Sequence, residues 1–105
     1  VTTYDFDDGR GPVPAHRHRN PDGSLGGWVA DTATVAATAT IGPDARVWGE
    51  ARVYGDARVY GAARVYGDAW VSGGWVYGDA RVSGDAWVSG NDVLTERPIY
   101  ERRAL

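Results

Sequence analysis

His16 and His18 are the chain's two histidines, and they stand two residues apart in the basic run His16-Arg17-His18-Arg19. On an extended strand both would face the same side. Three such chains meeting at a threefold axis would bring six imidazoles together, a set able to hold an octahedral metal ion. Two histidines interleaved with arginines are more ordinary as a solvated or salt-bridging pair in a basic loop, and that reading is preferred. A second candidate set is acidic: Asp44, Glu50, Asp56, Asp68, Asp79 and Asp85 recur at regular intervals. A hard cation such as calcium needs six or more oxygens converging on one point. Acids spread one per turn do not supply that, so they are expected to bond to their own turn backbone and to balance the arginines. No cysteine is present, which removes thiolate nucleophiles, thiolate ligands and disulfides. No metal or other cofactor is expected.

What spaces these acids is a repeat. Val29, Val35, Ile41, Val47, Val53, Val59, Val65 and Val71 follow one another every six residues; the next step is five, to Val76, and the period of six then resumes through Val82, Val88 and Leu94. Alanine stands two residues before most of these positions and glycine two after, giving the consensus A-R-V-Y-G-D. A period of six does not fit an α-helix, whose apolar stripe needs spacings of three and four. It is also too short for a run of hairpins. It fits a very short strand followed by a tight corner. In Ala45–Trp48 alternation turns Ala45 and Val47 to one side and Arg46 and Trp48 to the other. The Gly-Asp pair then turns the chain.

Three strands and three corners close a triangular coil of eighteen residues, and coils stacked at strand spacing would build a prism on the order of 18 Å tall. Residues 29–93 make eleven units, ten hexads and one pentad, or roughly 3.7 coils. Folding the sequence by this period gives three outer faces. The first carries Trp28, Arg46, Arg64 and Arg81 beside Ala30, Trp48, Tyr66 and Ser83. The second carries Thr34, Arg52, Trp70 and Trp87 beside Ala36, Tyr54, Ser72 and Ser89. The third carries Thr40, Arg58, Trp75 and Val93 beside Gly42, Tyr60, Tyr77 and Thr95. Thr34 and Thr40 fall on different faces and both columns change to arginine, so no threonine ladder of the ice-binding kind survives. The pentad Val71-Ser72-Gly73-Gly74-Trp75 reads as one lost corner residue, with Gly74 inward, Trp75 outward and nothing chemical beside it.

The stretch Val29–Gly90 resembles the hexapeptide-repeat family, with an aliphatic residue at the first position and a small one at the fifth. That resemblance implies an all-β, single-stranded, left-handed parallel β-helix, the handedness coming from the family because general crossover rules favour the right hand. The lead-in from Asn20 through Trp28 to Thr32 is similar to that of bacterial and phage repeat proteins of unassigned role. Many relatives are trimeric acyltransferases and others resemble γ-class carbonic anhydrases. Both chemistries need histidine on or near the coils. Here no repeat position carries one, so no catalytic residue transfers, and a non-enzymatic protein is expected.

Residues 1–28 are a non-repeat segment and 94–105 lose the period, with Tyr100-Glu101-Arg102-Arg103 readable as a short helix. Both are expected to cap the ends of the solenoid or to reach another chain. The chain has 105 residues, all eleven of its basic residues are arginine, and the net charge is −3. Such a balance gives no overall attraction to nucleic acid or to an anionic membrane. No apolar run is long enough to span a membrane as a helix, and Val1–Arg10 does not read as a signal peptide. Methionine is missing even at position 1, as expected after removal of an initiator or in a processed product. A cytoplasmic or virion-associated protein is expected.

Between Trp48 and Trp87 the outer columns carry eight large aromatics, Trp48, Tyr54, Tyr60, Tyr66, Trp70, Trp75, Tyr77 and Trp87. Tyr, Trp and Arg are enriched at interfaces, and soluble monomers seldom leave continuous apolar columns bare. The reading favoured is a homo-oligomeric structural module, by family precedent a homotrimer, within a phage or surface assembly, with the arginine-rich first face left in water. The alternative is a module binding carbohydrate or protein through the Trp and Tyr columns, its partners glycans or other assembly proteins. An acyltransferase or carbonic-anhydrase-like enzyme is the third reading.

Overall fold

The structure, a computed structural model, describes residues 2–78, 80–84, 86–94 and 98–99. Tyr100–Arg103 therefore lie outside the described residues, as do Asp79 and Asp85. Among the described residues all regular structure is β. The chain opens with β1 (Thr3–Asp5), β2 (Pro12–Arg19) and β3 (Leu25–Ala30). A series of very short strands follows: β4 (Thr34–Val35), β5 (Thr40–Ile41), β6 (Arg46–Val47), β7 (Arg52–Tyr54), β8 (Arg58–Val59) and β9 (Arg64–Val65). The longer β10 (Trp70–Val76) contains the pentad, and β11 (Arg81–Val82), β12 (Trp87–Leu94) and β13 (Pro98–Ile99) complete the order.

From β3 onward the strands pair in parallel, one coil against the next, as a β-solenoid. The first face runs β3-β6-β9-β11-β13, placing Trp28, Arg46, Arg64, Arg81 and Pro98 in register. The second face aligns Thr34, Arg52, Trp70 and Trp87, and the third Thr40, Arg58, Trp75 and Val93. From Trp28 to Trp87 this register is the one that the period predicts for the outward columns, and the pairing of Pro98 with Arg81 extends the first ladder beyond the repeat. Strands β10 and β12 each serve two faces, because the pentad's corner stays within the ladder.

The interior is the inward half of the alternation. Val29, Ile41, Val47, Val53, Val59, Val65, Val71, Val76, Val82 and Val88 are fully buried among the small alanines. Each such aliphatic residue is worth roughly 1.5–3 kcal/mol of burial. Val35 and Ala33 pack on the same core but stay partly exposed, since β4 is a sheet edge with no strand above it. Corners are tight because glycine takes positive φ there. At Gly61 φ is 63°, and a Cβ would lie 2.9 Å from the amide nitrogen of Gly78 in the next coil. Only glycine meets both demands.

The top of the prism is closed by the first nineteen residues and the turn after them. Strand β2 runs antiparallel to β3 and covers its upper edge. The turn Asn20-Pro21-Asp22-Gly23-Ser24 is fixed by Asn20 N–H to Ser24 C=O and Gly23 N–H to Asn20 C=O, both 2.9 Å. The Ser24 hydroxyl and amide both donate to Asp22, holding its carboxyl below the usual carboxylate range. This turn delivers the Asn20 carboxamide onto β5. Its Oδ1 accepts from Ile41 N–H at 2.9 Å and its Nδ2 donates to Ile41 C=O at 3.1 Å. The side chain thus supplies the rung of a missing strand. The lead-in can pass this close because Gly26 and Gly27 lack side chains; a Cβ on Gly27 would lie 1.9 Å from Ala45 C=O.

Asn20→Ala should destabilise the fold by about 1–3 kcal/mol, since it leaves buried backbone groups of Ile41 unpaired. Val59→Ala should cost a similar amount, about 1–3 kcal/mol, through lost burial and a cavity. Arg58→Ser should cost clearly less than either. Urea denaturation of the three variants is the check.

Candidate functional site

The three outer faces begin with the same chemistry and end differently. On the first, the β1–β2 ribbon lies against the solenoid wall. Tyr4 stacks on Trp28 at 4.8 Å between ring centroids, and Phe6 stacks on Trp48 at 5.3 Å. The column continues from Trp48 to Tyr66 at 4.5 Å, with the rings nearly parallel. Ala15 and Ala30 complete this second cluster, with Val13 packed beside them. Trp48 is left only 8% exposed. The expectation of a wet first face is therefore corrected: Trp48 faces outward from its coil but is buried by the chain's own N-terminal ribbon. The alternation Tyr4-x-Phe6 and Val13-x-Ala15 is the sequence signal for this, being two short half-apolar strands.

On faces two and three Tyr54 and Trp75 are exposed, while Tyr60, Trp70, Tyr77 and Trp87 are half-buried. On the second, Trp70 meets Trp87 at 5.3 Å and Tyr54 edge-on at 6.3 Å, and Arg52 lies 5.7 Å over the Trp70 ring. On the third, Trp75 meets Tyr60 and Tyr77 edge-on at 6.3 and 6.2 Å, under Arg58 at 5.2 Å. Tyr54 is 37% and Trp75 44% exposed. The arginines are thus partnered by rings in the coil below, a contact worth about 0.5–1 kcal/mol at such sites. They are not partnered by the corner acids. Among the described residues Asp44, Glu50, Asp56 and Asp68 form no side-chain hydrogen bond or ion pair. The expected bonds from these four acids to their own turns are not formed, and none of the four makes a close ion pair with an arginine among the described residues.

The histidines separate. His16 is exposed, and its Nδ1 lies 2.8 Å from Asp31 Oδ1. His18 is buried, and its Nε2–H donates to Ala39 C=O at 2.8 Å, beside the Asn20 rung. No group of three or more His, Cys, Asp or Glu able to hold a metal occurs among the described residues. The basic run is a strand and not a loop: His16 contacts Asp31 in solvent, and His18 closes a strand edge, which sequence reasoning missed.

The pentad leaves a recess. Gly73 lies below Gly55, and Trp75 pairs with Arg58, so no residue of β10 stands under Asp56. Gly73 and Gly74 take φ of 85° and 78° to make the shortened corner, and Gly74 is buried while Trp75 faces out, as the sequence predicts. Corner amides of Glu50, Ala62 and Asp68 donate to a glycine carbonyl one coil on, at 2.8–3.0 Å; among the described residues the amides of Asp56 and Asp44 have no such bond. The gap is an open recess of about 440 Å³ walled by Asp56, Arg58, Ser72 and Trp75 over glycine backbone. The sequence reading had placed nothing chemical here. Distances of seventeen and eighteen residues hid the neighbours from a linear view.

Residues 51–67 and 76–90 match the family model of the YdcK beta solenoid repeat. The two segments cover less than half of the chain, and the unmatched residues between them hold the pentad. The chain thus carries a repeat similar to that β-solenoid repeat, in agreement with its parallel stacked coils. No curated protein and no solved structure matches the chain. Among the described residues no helix is long and apolar enough to cross a membrane.

His18→Ala should lower stability by about 1 kcal/mol through the lost hydrogen bond, whereas His16→Ala should change it by less than about 0.5 kcal/mol. Thermal melts of the two single variants are the check. Equal effects would remove the edge-closing role of His18.

Proposed function

We propose that this chain is a non-enzymatic structural module, a left-handed hexapeptide-type β-helix that self-associates through its second face as a homotrimer within a phage or surface assembly. One observation carries the reading. The chain covers the aromatic column of its first face with its own ribbon, while on the second face Tyr54 is 37% exposed and Trp70 half-buried, with no such ribbon over them among the described residues. Burying such a column removes apolar surface worth roughly 25 cal/mol per Å², before the costs of association. The second face has two unlike columns, one bulky (Arg52, Trp70, Trp87) and one with Ala36, Tyr54 and Ser72. Around a threefold axis the bulky column of each chain meets the slighter column of the next, which suits a closed heterologous ring.

A catalytic role is disfavoured, because His16 is engaged by Asp31 and His18 is buried against Ala39 C=O at the upper edge of the solenoid. A binding module is the second reading, and Trp75, exposed on the third face, favours it.

Analytical ultracentrifugation at micromolar concentration tests the proposal. The wild type should sediment as three chains, and the double variant Trp70→Ser, Trp87→Ser as one, with a lower melting temperature. A wild-type monomer would end the self-association reading and put the binding module first.

A further inference from the structure

We propose that the recess at the pentad corner is a carbohydrate site that takes one pyranose ring against Trp75. The wall of a regular coil is continuous because every corner residue has another beneath it. At this corner the lost residue leaves space below Asp56, because the register passes directly from Gly55 over Gly73 to Arg58 over Trp75, with Gly74 in the inward place between. The space is therefore built into the backbone, not opened by a side-chain rotamer.

The groups around it select the ligand. Trp75 offers a flat apolar surface, 44% exposed, held edge-on between Tyr60 and Tyr77. The part of the indole that Arg58 leaves uncovered is apolar and can pack against the C–H groups of a sugar ring. Asp56 brings an acceptor with no partner, and the guanidinium of Arg58, steadied over the Trp75 ring at 5.2 Å, brings donors without an ion pair. Hydrogen bonds to charged groups are the stronger ones, and adjacent hydroxyls supply a donor and an acceptor together. An anion such as phosphate would meet the Asp56 carboxylate, and a cation would meet Arg58. A neutral polyhydroxylated ring with one apolar side satisfies all three residues. The recess is open and shallow, so it accommodates a single residue of a glycan rather than enclosing a whole ligand.

This site does not depend on self-association, and its test separates the two. Methyl glycosides of glucose, galactose and mannose are titrated into the protein and followed by saturation-transfer NMR. At least one should bind saturably, with a dissociation constant on the order of 1 mM, as befits one small exposed contact. Inserting an aspartate between Gly73 and Gly74 restores the hexad and fills the recess; binding should fall at least tenfold while the melting temperature holds or rises. Asp56→Asn, a change at an exposed corner, should weaken binding about tenfold. Trp70→Ser with Trp87→Ser should leave binding unchanged whatever its effect on particle mass. No saturable binding by any of the three glycosides, or undiminished binding in the insertion and Asp56→Asn variants, would overturn the proposal.

Discussion

Each coil is held to the next by amides that donate to carbonyls one coil further on, as Thr34 does to Ala51, Arg52 to Ala69 and Trp70 to Ala86, each at 2.9 Å. This ladder leaves little freedom. A residue facing outward in one coil must lie over an outward residue in the next, and a corner must lie over a corner. The interior can then be filled with valine and alanine alone, because the strands above and below place each methyl group for its neighbour. The same constraint makes aromatic columns on the outside: any Trp or Tyr at an outward position finds its neighbour about one strand spacing away.

Ends and irregularities are where such a ladder has something left over. At the top, β2 covers β3 while Asn20 and His18 satisfy Ile41 and Ala39 with side-chain groups in place of a strand. The edge of β4 receives no strand, and Val35 is accordingly the repeat aliphatic left partly exposed among those from Val29 to Val88. In the middle, the five-residue unit keeps Val71 and Val76 buried and both faces in register, so its entire cost falls on the corner. A deletion that the core does not feel becomes a recess that the surface does.

The repeat was legible because it is a local rule applied many times. The burial of Val47, Val59 and Val82 and the alignment of Arg52 over Trp70 and Arg58 over Trp75 both follow from counting in sixes. What counting could not give is anything that depends on one segment meeting another at no fixed period. Trp48 looked like an exposed interface residue because the partner that buries it, Phe6, stands forty-two residues earlier in a segment without the repeat. His18 looked like half of a possible metal pair because its acceptor is a main-chain carbonyl, which no side-chain pattern announces. The corner acids looked structurally bonded because turn aspartates commonly are. Here the tight glycine corners close without them. The repeat family comparison adds weight where the period is clean and falls silent across the pentad.

Three tryptophans on three faces thus differ: Trp48 is sealed by the ribbon, Trp75 is left exposed, and Trp70 is half-buried in the single chain and becomes sealed only in the proposed assembly. Hydroxyl-radical footprinting of the wild-type protein at a concentration where it is assembled, read by mass spectrometry at each tryptophan, tests all three at once. The account predicts an unreactive Trp48, a protected Trp70 that becomes reactive on dilution, and a Trp75 that is reactive throughout. A Trp70 as reactive as Trp75 in the assembled sample, or a readily oxidised Trp48, would contradict it.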